Sequence, residues 1–227
     1  MDIKKRVDEI YDELVSIRRD FHMYPELGEK EFRTQGKIFE YLKLWEIECQ
    51  SYADTGVVGI IRGKQNGKTV AVRGDIDALP INEKNKVPYC SQNPGVMHAC
   101  GHDVHTAVLL GIAKIFKEME NTLTGNVKLL FQPAEETVGG AQRMAKEGCM
   151  KNPSVDYILG LHVMSYIDAG MVELKYDKLN ASTDEVIIKI NGKKCLDAKP
   201  PTIDVERIKE NKTEIKQGET VKISKKA

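Results

Sequence analysis

Apolar residues recur at three- and four-residue steps at Ile3, Val7, Ile10, Leu14 and Ile17, which is the spacing of an amphipathic helix. A second helix is predicted over roughly Glu29 to Trp45, with Phe32, Phe39 and Leu42 on its inner side. Two short apolar runs follow, Val57 to Ile61 and Thr69 to Val72. They read as strands joined by a turn around Asn66-Gly67. Thr106 to Met119 is apolar enough for a largely buried helix, Asn126 to Phe131 reads as a strand, Gly140 to Glu147 as a short helix and Asp156 to Leu161 as another strand. Strands alternating with helices indicate an α/β fold: a mixed, largely parallel sheet covered by helices on both faces.

Past Gly170 the texture changes. Met171 to Lys175 and Glu185 to Ile190 have the alternation of strands, and from Val205 onward the chain is rich in Lys and Glu with few large apolar residues. Such a tail can bury little surface.

In sheets of this class ligands gather beyond the carboxyl ends of the strands. Polar clusters fall at those ends here: Asp75 and Asp77 after the second strand, Cys100 to His105 before the buried helix, Glu135-Glu136 after the third strand, and His162 after the fourth. The densest is MHACGHDVH, residues 97 to 105, which holds three of the chain's five histidines together with Cys100 and Asp103. Cys100 and His102 are two apart, so a turn can aim both at one metal ion. Glu135 and Glu136 taken alone would be a solvated acidic pair. Following a strand and Pro133, they can point to different partners, one binding metal and the other left free as a base. Asp75 and Asp77 could equally cap a turn, and a lone histidine such as His162 is ordinarily structural. Their weight comes from the company they keep.

Composition removes several classes. Lys and Arg total 34 against 34 Asp and Glu, so no charge excess suggests a nucleic-acid or membrane-surface partner. The opening MDIKKRVDEIYDEL is charged, without the apolar stretch of a signal peptide, and no run is long enough to span a bilayer. Five cysteines (49, 90, 100, 149 and 195), odd in number and without paired spacing, argue for a reducing, cytoplasmic setting.

RGDIDALPI (73–81), MHACGHDVHTA (97–107), FQPAEETVGGA (131–141) and RRDFHMYPELGEKEFRT (18–34) together resemble the metal-dependent aminoacylase-like amidohydrolases. These include hippurate hydrolases, N-acetyl-diaminopimelate deacetylases and auxin-conjugate hydrolases. The resemblance runs from about residue 5 to residue 190 and implies a site for two divalent metal ions (zinc, manganese, cobalt or nickel) with Cys100, His102, Glu136 and His162 as ligands. It implies Glu135 as general base and Asp77 as the acid that orients a ligand, with Asp75 as rival for that role. Asp103 and His105 fit supporting positions behind the ligands. The implied substrate is an N-acyl amino acid, cleaved at its amide bond.

The resemblance also sets domain expectations: a partial catalytic α/β domain over 1–178, the start of a βαββαβ lid over 179–204, and a divergent tail over 205–227. Relatives of this kind often dimerise through the lid, so a homodimer is expected of full-length members. The family's lid carries a histidine where Leu196 stands here, and a second where Pro201 stands. A further histidine ligand is expected after the lid, and this sequence has none beyond His162. The expectation is therefore a shortened chain of weak or no activity. Two other readings stay open: a thiol amidase with Cys100 as nucleophile, and a metal-binding or interaction domain that has kept the fold without turnover. The His-x-Glu and Pro-Cys-x-x-Cys pattern of zinc deaminases is absent.

Overall fold

The Asp2 side chain accepts a hydrogen bond from the backbone N–H of Lys5 and starts the first helix, α1 (Ile3–Met23). The structure, a computed structural model, describes residues 1–137 and 139–174. Met1–Met171 forms one compact unit; the second begins at Val172, and only its first three residues are described. Along the chain the further elements are α2 (Phe32–Leu44), β1 (Glu48–Tyr52), β2 (Gly56–Arg62), β3 (Gln65–Asp75), α3 (His102–Glu118), β4 (Thr124–Gln132), α4 (Gly140–Lys146) and β5 (Tyr157–Gly160).

The five strands form one sheet in the order β1-β2-β4-β3-β5. β1 with β2 and β2 with β4 are antiparallel; β3 with β4 and β3 with β5 are parallel. The sheet is therefore evenly mixed, where sequence reasoning expected largely parallel pairing. Asn66-Gly67 is not a hairpin turn either. It lies inside β3, next to a register shift between Gln65 and Thr69, and β4 separates β2 from β3. β1 has no sequence counterpart among the expected strands: ECQSY is half polar and none of its residues is buried, so it lacks the alternation that marks a strand.

Alternation on the central strands sorts side chains to two faces. Val57 and Ile61 of β2 and Val127, Leu129 and Phe131 of β4 join Ile17 and Phe21 of α1, Ile38 and Leu42 of α2, and Leu109, Leu110 and Ala113 of α3 in the larger core. Val58, Ile60, Ala71 and Leu130 face the other way, toward Met144 of α4 and Cys149. Each large apolar side chain so buried contributes roughly 1.5–3 kcal/mol of transfer free energy. Phe32 is not among them: it is exposed, and the inner stripe of α2 is Thr34, Ile38 and Leu42 at four-residue steps. Two residues before Thr34, Phe32 falls about 200° round the helix from that stripe.

Because β3, β4 and β5 run the same way, their carboxyl ends lie along one edge, with Asp75 paired to Gln132 and Arg73 to Gly160. The polar clusters after these strands are brought together there. Met171 to Leu174 carries no regular structure, contrary to the strand expected from Met171 to Lys175. The expected strand at 185–190, the lid and the tail lie outside the described residues, as does the domain boundary at 178. Among the described residues no helix is long and apolar enough to cross a membrane.

Candidate metal centre

The turn Cys100-Gly101-His102 delivers the first two donors. Gly101 has φ of 82° and a side chain there would collide with Val163, so only glycine lets the turn pass beneath the residue after His162. α3 begins at His102, one turn earlier than periodicity suggested, which puts Asp103 and His105 on its buried first turn.

Three imidazoles are oriented by the same device. His102 donates its Nδ1–H to Asp77 Oδ1 at 3.2 Å, His105 donates to Asp75 Oδ1 at 2.5 Å, and His162 donates to the carbonyl of Val163 at 2.7 Å. Each therefore presents the Nε2 lone pair. That of His105 accepts the backbone N–H of Val163 at 2.9 Å and is used up. That of His162 lies 3.4 Å from the Cys100 sulfur. That of His102 is buried without a hydrogen-bond partner, 3.7 Å from Glu136 Oε1, which is buried and unpartnered as well. An imidazole nitrogen and a carboxylate oxygen, both buried, facing each other at 3.7 Å with no hydrogen bond between them, leave the kind of gap a cation fills and an ordinary core rarely keeps.

His102 belongs to three donor groups in which the atoms all lie within 4.8 Å of one another: with Cys100 and His162, with Glu135 and Glu136, and with Asp75 and His105. The structure thus brings the expected ligands Cys100, Glu136 and His162 around the imidazole of the fourth, His102, with Glu135 alongside. Thiol, imidazole and carboxylate donors suit a divalent transition metal.

The two aspartates divide the work. Asp77 accepts from His102 and also from the backbone N–H of Glu136 at 2.9 Å, so one carboxylate fixes two of the donor residues. Asp75 is engaged by His105 and, at 2.6 Å, by Arg73. Burial opposes its charge, but the bond from His105 and the nearness of His102 and Arg73 prevail and hold its pKa at about 2. Glu135 is pushed the other way, upward, by desolvation and by the neighbouring charges of Asp75 and Glu136.

Cys100 is pushed up to about 12 by burial and by the nearby carboxylates of Glu136, Glu135 and Asp75. A nucleophilic thiolate needs positive neighbours. Three carboxylates lie near it, and although His162 Nε2 is 3.4 Å away, they weigh against Cys100 as nucleophile and for Cys100 as one donor among several around a cation.

Glu31 and His22 carried no sequence signal of their own, and His98 only that of its cluster. Glu31, fully buried, accepts from Thr55 Oγ1 at 2.6 Å and from the backbone N–H of Ala134 at 2.8 Å, steadying an alanine held at φ of 49° just before Glu135. His22 is gripped between Asp103 at 2.7 Å and Glu83 at 3.1 Å, tying α1 to the first turn of α3. His98 is buried with neither ring nitrogen hydrogen-bonded, and burial holds its pKa down at about 4. Glu31 and His22 lie within the opening motif, and nothing in its spacing reveals which of its polar residues are buried.

Imidazole, thiol and carboxylate donors converging at the carboxyl ends of parallel strands define a candidate metal-dependent α/β hydrolase domain. The chain belongs to peptidase family M20/M25/M40, whose model matches residues 71–227. It is 41% identical over 206 residues to an N-acyl-L-amino acid amidohydrolase of Geobacillus stearothermophilus, covering 89% of this chain and 55% of that protein. It is 45% identical over 182 residues to an N-acetyl-L-cysteine deacetylase of Bacillus subtilis, covering 80% of this chain and 43% of that one. Among solved structures it resembles a dinuclear metal-binding M20-family peptidase of Bacillus subtilis, with a TM-score of 0.65 and 39% identity over 68% of this chain and 44% of that chain. The chain spans about half the length of the curated relatives it matches.

Proposed function

We propose that this chain carries the metal-dependent hydrolysis of the amide bond in N-acyl amino acids, releasing a carboxylic acid and an amino acid. The observation that carries the reading is the facing pair of unpartnered atoms, His102 Nε2 and Glu136 Oε1, inside a cluster completed by Cys100 and His162. These four residues would hold two divalent ions, of zinc, manganese, cobalt or nickel. Bound there, the metal supplies Lewis acidity toward the attacking water and the amide carbonyl.

The chain's own residues do the rest. Asp77 keeps the proton on His102 Nδ1, so Nε2 keeps its lone pair for a metal ion, and holds the backbone of Glu136 in place. Glu135, beside His102 and outside the hydrogen-bond web that fixes its neighbours, takes a proton from water as the oxygen adds to the amide carbon. It then returns that proton to the departing amine. The two half-reactions sum to water plus amide giving acid plus amine, with Glu135 unchanged.

The relatives' names support the substrate class: one acts on N-acyl-L-amino acids and another on N-acetyl-L-cysteine. Cytoplasmic residence is part of the reading, supported by four unpaired cysteines among the described residues. So is a homodimer through the lid in longer members. A second reading is metal binding without turnover, which the donor cluster by itself supports equally.

The test is elemental analysis of the purified chain, with hydrolysis of hippurate and N-acetyl amino acids before and after chelation. Bound metal with chelator-sensitive release of amino acid supports hydrolysis. Bound metal with no release supports the second reading, and a chain that takes up no metal refutes both.

A further inference from the structure

Glu31 stands immediately before α2, where a short polar or acidic side chain would ordinarily cap the helix, and it makes no such bond. Glu26 does that work instead, accepting the backbone N–H groups of Arg33 at 3.1 Å and Thr34 at 2.8 Å. Glu31 is fully buried, and its carboxylate serves other parts of the chain. One oxygen accepts from Thr55 Oγ1 at 2.6 Å and the other from the backbone N–H of Ala134 at 2.8 Å. Ala134 has φ of 49°, a left-handed conformation that residues other than glycine keep only where their surroundings impose it. The same stretch of chain also meets the turn that carries Asp77. Ala78 donates to the carbonyl of Glu26 at 2.8 Å, and a Cβ on Gly28 would lie 3.2 Å from Ala134 Cα and 3.3 Å from Asp77 Oδ2.

The two glutamates of the loop are therefore anchored separately. Glu136 is held through its own backbone N–H by Asp77 at 2.9 Å. Among the described residues no hydrogen bond holds Glu135 itself, so its place is set through Ala134, the residue before it. We propose that Glu31 is a positioning residue for Glu135: by fixing the Ala134 N–H it aims the Glu135 carboxylate, while Asp77 separately fixes Glu136 as a metal donor. That Glu135 acts as a base rests on the hydrolase reading; the separate anchoring of the two residues does not. A misplacement of about 1 Å can cost roughly 10²-fold in rate.

Two substitutions in the full chain separate reach from charge. Glu31→Asp keeps the charge but falls about 1.5 Å short of its partners. Glu31→Gln loses the charge but can keep both bonds, its oxygen accepting from Ala134 and its NH2 donating to a Thr55 hydroxyl turned round. NMR follows hydrogen exchange of the Ala134 and Glu136 amides in the metal-free chain, circular dichroism checks the fold, and titration gives cobalt affinity. The expected result is that Glu31→Asp speeds exchange at Ala134 at least tenfold, with exchange at Glu136 and cobalt affinity within threefold of wild type. Glu31→Gln stays within threefold throughout. Where the chain turns over hippurate, kcat falls at least tenfold in Glu31→Asp with KM unchanged, and Glu31→Gln retains it within threefold. Thr55→Val removes the carboxylate's second anchor and is read if Glu31→Asp does not fold, with exchange at Ala134 at least threefold faster. A folded Glu31→Asp with wild-type exchange at Ala134 overturns the proposal. So does a Glu31→Gln that loses as much as Glu31→Asp, or a cobalt loss in Glu31→Asp equal to that of Asp77→Asn. Absence of hydrolysis by wild type, with the exchange and cobalt results as expected, sinks the catalytic reading instead and leaves the separate anchoring standing.

Discussion

Asp77→Asn isolates the part of the site that orients without binding. Asp77 is 1% exposed and accepts two hydrogen bonds, from His102 Nδ1 at 3.2 Å and from the Glu136 backbone at 2.9 Å. Asparagine preserves the shape but keeps one acceptor oxygen and gains an NH2 group. Whichever way the amide turns, its N–H groups confront either the imidazole N–H or the Glu136 N–H. If they face His102, the imidazole is driven to the other tautomer and its Nε2 becomes a donor, no longer a lone pair for a cation. If they face Glu136, the backbone of that residue is displaced. Losing such an orienting carboxylate typically lowers metal affinity 10–100-fold, about 1.4–2.7 kcal/mol. We expect a loss in that range for Asp77→Asn, measured by titrating the metal-stripped chain with cobalt and following the thiolate-to-cobalt absorption band. Asp75→Asn, which loses its partners at His105 and Arg73 and lies 3.7 Å from His102 Nε2 without holding its Nδ1 proton, should cost less. A folded Asp77→Asn protein with wild-type cobalt affinity would refute the reasoning, and so would an Asp75→Asn loss that exceeds it.

Three further outcomes follow from the same geometry. Glu135→Gln should keep metal uptake and lose turnover by roughly 10²–10⁴-fold, the usual share of a general base; equal losses of metal and activity would make Glu135 a ligand instead. His22 has its pKa raised above 6.5 chiefly by the bond to Asp103, against burial and with help from Glu83. A histidine stabilised in its charged form contributes fully below the unfolded pKa, and its contribution disappears as pH rises through the folded value, at about 1.4 kcal/mol per unit of elevation. Urea unfolding of wild type and His22→Gln should accordingly show a stability gap at pH 6 that shrinks by pH 9; a gap that widens contradicts the linkage. Leu110→Ala, at a fully buried position in the larger core, should cost about 2–5 kcal/mol in the same assay.

Much of the site was legible because its chemistry is clustered in sequence. MHACGHDVH and the acidic pair at 135–136 carry donor types that packing rarely asks for, and each follows or precedes a recognisable element. What spacing could not separate was donor from support. His102 and His105 are three apart on one helical face and alike in burial; only the path of Val163, which donates to His105 and leaves His102 free, tells them apart. Asp75 and Asp77 are similarly ambiguous, and the choice depends on which imidazole each reaches across the turn. The fold was legible where apolar alternation was strong, as in β2 and β4. It was not in β1, a polar edge strand held by pairing with β2, nor in the order of strands, which no local pattern encodes.

That strand order is what makes the site. Placing β4 between β2 and β3 puts Gln132 beside Asp75, so the chain leaving β4 and the chain leaving β3 emerge as neighbours. Asp77 can then reach the backbone of Glu136, 59 residues away in sequence. The hairpin that Asn66-Gly67 suggested would have paired β2 directly with β3 and taken one of its two edges. Gly140 tightens the return: a side chain there would land on the carbonyl oxygen of Pro133, so the segment bearing Glu135 and Glu136 closes into a short loop ahead of α4. Gly140→Ala must open that loop, although its alanine suits a helix better than glycine does. The expected result is weaker metal uptake in a chain whose core unfolding is little changed, because the strain falls on the loop and not on the apolar faces of the sheet. Wild-type cobalt affinity in Gly140→Ala would show that the loop's closure does not set the position of Glu136.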